Sequence, residues 1–116
     1  MAAEGPSPFE DPNREWRLVE MQGAPFEGTA TLVFPEQDRV AGQAPCNRFM
    51  GKAEWSPEAT TFGPLAATMM ACPDLDQERV VLEALETVTA LVIEADSLIL
   101  TLGDGSRMVY TSAPAE

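Results

Sequence analysis

VAGQAPCNRFMGKAEWSPEATTFGPLAATMMACP, residues 40–73, contains both cysteines of the chain and decides how the rest is read. Its apolar residues come in short alternating runs, such as Phe49 and Ala53 against Arg48, Met50 and Lys52, rather than at helical spacing. Gly and Pro cut those runs at Gly42, Pro45, Gly51, Pro57, Gly63, Pro64 and Pro73, which is the punctuation of short strands joined by turns. Gly51, inside an alternating run, marks a bulge or a close backbone approach.

Two blocks anchor this stretch. The first is Gly42, Cys46, Asn47, Arg48, Phe49 and Gly51; the second is Leu65, Ala66, Thr68, Met70 and Cys72. Together with a Trp16-x-Leu18 strand, Gly23, Phe34, and a helix carrying Glu78 and Leu85, they resemble the META domain, the family that includes the HslJ heat-shock proteins. The resemblance runs over residues 16–110. It implies a small, mainly β fold, a stress- or envelope-associated role, and a module that acts by binding rather than by catalysis.

Working outward, residues 1–14 are Pro-rich, polar and acidic, and read as a flexible arm in which only Phe9 has the means to dock. Residues 15–21 alternate Trp16 and Leu18 against Arg17 and Val19, as a strand with the first pair inward. Residues 29–34 and 39–42 are expected to form a hairpin, and 59–62 a further strand. Residues 65–71 read as a strand or an irregular crossing segment.

A helix is expected over residues 74–89. Asp74 is its candidate N-cap with Gln77 as capping-box partner, and Leu75, Val81, Leu82, Ala84, Leu85 and Val88 share its apolar face. Its acids, Asp74, Asp76, Glu78, Glu83 and Glu86, read as a solvated face. A hairpin follows, with Leu98, Leu100 and Leu102 inward, and residues 107–111 close the sheet with Met108 or Tyr110 inward. The fold class is mainly β (α+β): a small antiparallel barrel-like sheet of about seven or eight short strands with one packed α-helix. The folded domain spans 15–111, and 112–116 is a tail.

At 116 residues the chain forms one domain able to bury a modest core. With 19 acidic and 7 basic residues its net charge is −12. That excess solubilises the protein, sets copies against each other as monomers, and leaves no continuous positive track for phosphates. Histidine is absent, which removes the commonest general base, metal ligand and nucleophile partner. No apolar run reaches the length of a membrane helix, and the first residues carry no signal-peptide h-region. The chain as given therefore reads as cytoplasmic, with the periplasm or cell envelope as the alternative.

Cys46 and Cys72 are open to three readings: a disulfide, a buried free pair, or a reactive thiol. A bridge would constrain the unfolded chain by roughly 3 kcal/mol. A catalytic thiol lacks a histidine to activate it, and a two-cysteine metal site lacks further ligands at recognisable spacing. No cofactor is expected. Asn47 and Arg48 are the polar pair of interest, since a guanidinium fork recognises carboxylates and peptide groups. Against that, Asn47 can occupy a left-handed or turn conformation and bond near Thr68, with Arg48 pairing to surface acids. Met50, Met69 and Met70 form either an adaptable binding surface or core filling. Asn47, Arg48, Thr68 and Met70 are thus the candidate binding residues for a protein or small apolar ligand, and both blocks are expected to meet in one hub. The competing readings are an enzyme built on Cys46, Asn47, Arg48, Thr68 and Cys72, and a purely structural accessory domain.

Seven dispersed cations among nineteen acids predict that the protein does not bind DNA or RNA. Salt-dependent retention on a generic duplex at low ionic strength would overturn that.

Overall fold

Among the described residues, the alternation read from the sequence produces nine strands in two antiparallel sheets and one α-helix. The computed structural model describes residues 8–10, 14–26, 28–56, 58–68 and 72–112. The strands are β1 (Trp16–Met21), β2 (Ala24–Pro25), β3 (Thr31–Leu32), β4 (Arg39–Gln43), β5 (Arg48–Trp55), β6 (Thr60–Ala67), β7 (Val88–Glu94), β8 (Ser97–Leu102) and β9 (Arg107–Ser112), with α1 at Leu75–Leu85 between β6 and β7.

The larger sheet runs β2-β1-β9-β8-β7, and the smaller one β4-β5-β6. The expected hairpin of 29–34 with 39–42 forms only as a single bridge, Val33 to Ala41. β3 pairs instead with the start of β1, Trp16 opposite Leu32, while β2 pairs with its end. Trp16 and Leu18 face inward as predicted, and Leu32 beside them on β3 is buried with them. The bridge joins the two sheets. It depends on Gly42, where a Cβ would collide with the backbone carbonyl of Thr31. Gly51 has both roles read for it: the β5–β6 register shifts between Gly51 and Ala53, and a Cβ there would lie 2.6 Å from the Pro64 carbonyl.

The expected closure into a barrel does not occur. Among the described residues no ladder joins β6 to β7, and side chains occupy polar groups along that seam. The Leu65 amide donates to the Glu86 carboxylate at 3.1 Å, and the Leu91 carbonyl accepts from the Trp55 indole at 3.4 Å. β6 itself is one strand from 60 to 67 rather than two segments.

The core lies between the sheets. Trp16, Leu18, Leu32, Phe34, Val40, Phe49 and Phe62 meet Leu98, Leu100, Leu102, Met108 and Tyr110, both inward candidates of β9 being buried. Phe9, in a short 3-10 turn at Pro8–Glu10, docks edge-on to Phe34 with ring centroids 5.9 Å apart. Arg14 lies 4.2 Å over the Trp16 ring and pairs with Asp96. No described helix is long and apolar enough to cross a membrane.

The helix is shorter than expected. It stops at Leu85 because Thr87 turns back on it, its amide and hydroxyl both donating to the Ala84 carbonyl, and the β-branched pair Val88-Thr89 starts β7. Asp74 holds the N-cap position without a side-chain cap bond. Val81, Ala84 and Leu85 are buried, Leu82 is half-buried, and Leu75 is exposed. Leu85, 1 % exposed, is the deepest large side chain the helix contributes alongside Val81. Leu85→Ala is expected to cost roughly 2 to 5 kcal/mol of stability through the cavity left behind, measured as a urea midpoint shift at constant slope. A shift worth under about 0.5 kcal/mol would place Leu85 outside the core.

Candidate functional site

The two sequence blocks meet around one carboxylate. Glu78, on the first turns of α1, is 5 % exposed, a correction to its reading as part of a solvated face. Its Oε1 accepts from the amides of Cys46 at 2.8 Å and Asn47 at 2.6 Å, and its Oε2 accepts from Asn47 Nδ2 at 2.7 Å. Burial alone would raise its pKa. The Asn47 side chain and the Cys46 and Asn47 amides outweigh that, holding the carboxyl below its ordinary 4.5.

Asn47 connects this anchor to the sheet. Its Oδ1 accepts from the Thr68 hydroxyl at 2.9 Å, and Thr68 exchanges bonds with Arg48: the Thr68 amide donates to the Arg48 carbonyl, and the Arg48 amide to Thr68 Oγ1. Asn47 sits in a bend rather than the left-handed region; among the described residues the non-glycine ones with positive φ are Gln22, Asp38 and Ala95. Cys46 and Cys72 are joined by a disulfide, their Cα atoms 6.2 Å apart. The hub is therefore Cys46, Asn47, Thr68, Cys72 and Glu78. Met70, with residues 69 and 71, lies outside the described residues.

Arg48 belongs to the hub by its backbone and to a different surface by its side chain. It is exposed, and among the described residues it makes no ion pair, contrary to the expected pairing with surface acids. It borders a groove of about 650 Å³ on the outer face of the joined sheets, a volume typical of small-molecule sites. Sheet register organises the groove in two rows. Val33, Ala41, Met50 and Ala66 form an apolar row across β4, β5 and β6, with Glu15 at its far end. Thr31, Gln43, Arg48 and Thr68 form the polar row beside it. Small residues either side of Met50 make the trough, and Met50 is 54 % exposed, more than any other large hydrophobic residue described.

The META domain model matches residues 8–115. The chain belongs to the META domain family. Three solved structures share this META fold. An NMR structure of a protein from Burkholderia xenovorans is 22 % identical with a TM-score of 0.73, covering 99 % of this chain and 96 % of that one. A second NMR structure is 24 % identical with a TM-score of 0.70, over 91 % and 94 % of the two chains. A DUF4847 family protein from Bacteroides vulgatus is 10 % identical with a TM-score of 0.71, over 92 % and 96 %. No curated protein matches the sequence.

Sequence reasoning missed two parts of this META domain. Glu78 shares a helical stripe with Val81 and Leu85 at spacings of three and seven, a signal for its inward position that its charge overrode in the reading of a solvated face. The groove's apolar row had no linear signal, because its members are brought together by register across strands distant in sequence.

Removing the Glu78 carboxylate strands three buried donors, so Glu78→Ala is expected to cost roughly 2 to 5 kcal/mol at neutral pH. A folded-state pKa depressed below the unfolded value means the contribution is complete above about 4.5 and is lost as pH falls through the lower folded value. Denaturant unfolding of wild type and Glu78→Gln across that range is expected to show a shallower acid dependence in the variant. Parallel profiles would remove Glu78 as a buried acceptor.

Proposed function

We propose that this META domain is a non-catalytic binding module whose outer groove takes a small apolar molecule or an apolar segment of another protein. The observation that carries the reading is the apolar row lying open beside Arg48, an exposed guanidinium with no acid paired to it among the described residues. A trough of Val33, Ala41, Met50 and Ala66 that served only to cover the sheet would be expected to carry polar outward residues. Met50 supplies an adaptable, polarisable contact that fits more than one ligand shape.

The enzyme reading is weaker on the same geometry. Cys46 and Cys72 are tied to each other, and the Asn47 amide and Thr68 hydroxyl are committed to Glu78 and to one another. A chain without histidine offers none of these groups its usual base. The stress and envelope association comes from the HslJ resemblance. The disulfide supports the envelope or periplasm over the cytoplasm, since such bonds persist in oxidising compartments.

Titration of the ¹⁵N-labelled protein with dodecanol is expected to move amide signals of Ala41, Met50 and Ala66. Ala66→Trp, which fills the trough from an exposed strand position, is expected to abolish those shifts with an unchanged urea midpoint. Shifts confined to other faces, or undiminished in the variant, would sink the groove as the site.

A further inference from the structure

We propose that the groove's ligand is a free long-chain carboxylate, its tail along the apolar row and its head on Arg48. This rests on the groove reading above and names the ligand class. Charge decides the head. Of the seven cations, Arg14, Arg39 and Arg79 pair with Asp96, Glu36 and Asp76; Arg17, Arg48, Lys52 and Arg107 make no ion pair among the described residues, and of these four it is Arg48 that lines the groove. The one acid lining the groove, Glu15, extends the apolar row on the β1 side, so an anion is repelled from that end and drawn to the other. Arg17 lines the adjoining cleft and not the groove itself.

Position supports the same end. Arg48 N–H and C=O are both taken by Thr68, and Asn47 just before it is held by Glu78, so the backbone beneath the guanidinium is fixed while the side chain remains free. An anchored fork of five donors suits a carboxylate, which accepts two of them side by side.

Polar matching decides the tail. A peptide brings an N–H and a C=O with every residue, and each needs a partner once covered. The backbone of the groove floor is engaged in the β4–β5 and β5–β6 ladders, and Gln43 Nε2 already donates to the Ala44 carbonyl. A hydrocarbon tail asks for no partners. From Arg48 on β5 through β4 and β3 to β1 the row runs roughly 14 Å at about 4.8 Å per strand, which accommodates an extended alkyl chain.

Calorimetry with dodecanoate, dodecanol, dodecyltrimethylammonium and a short hydrophobic peptide with a free C-terminus tests this, each ligand kept below its aggregation limit. Dodecanoate is expected to bind at least about tenfold more tightly than dodecanol, with the cation weakest. Arg48→Gln is expected to reduce that preference to near unity while dodecanol affinity and the urea midpoint hold. Equal binding of dodecanoate and dodecanol by wild type, or an unchanged preference in Arg48→Gln, overturns the carboxylate while leaving the groove reading in place. Binding of the peptide without dodecanoate overturns the ligand class. Binding of none of dodecanoate, dodecanol and the peptide overturns both readings.

Discussion

A single carboxylate, buried where a helix meets a bend in the chain, holds the two halves of this fold in place. Burying a charged group is costly unless hydrogen bonds replace its hydration, and Glu78 obtains three, all from Cys46 and Asn47. Because two come from consecutive backbone amides, the bend must present both N–H groups to one oxygen. That fixes the path of the chain entering β5. The requirement is reciprocal: the helix supplies the acceptor, and the bend fixes where the helix can sit.

From that point order spreads in two directions. Asn47 passes it to β6 through Thr68, and the Cys46–Cys72 disulfide ties the same bend to the segment just before α1. Across the sheet, the single Val33–Ala41 bridge and the bare Cα of Gly42 let β3 and β4 approach closely enough to join the two sheets. The opposite seam stays unladdered, with Glu86 and Trp55 bonding backbone groups of β6 and β7. The bridged seam makes the outer face continuous from β1 through β3 and β4 to β6, and that face carries the groove.

Arg48 sits where these constraints meet. Its backbone is locked to Thr68, while its side chain projects on the other side of the strand, as alternate residues in a strand must. A structural hub and a surface site therefore share three consecutive residues, Cys46, Asn47 and Arg48, with opposite fates. Two are buried for the fold, and the third is exposed beside the trough.

The sequence by itself determined the elements whose signals are local. The inward faces of β1 and β8, the bulge at Gly51 and the start of the helix follow from alternation, Gly placement and helical spacing, which depend on near neighbours alone. The two motif blocks also sufficed for the family. Only the tertiary structure decided what depends on competition between distant partners. β3 chose β1 over β4, the barrel stayed open because side chains took the seam's polar groups, and the helix ended early because Thr87 bonded back to it. Glu78 left solvent because residues about 30 positions away offered three donors to one carboxylate. The groove exists by register alone, since Val33, Ala41, Met50 and Ala66 are neighbours across strands and strangers along the chain.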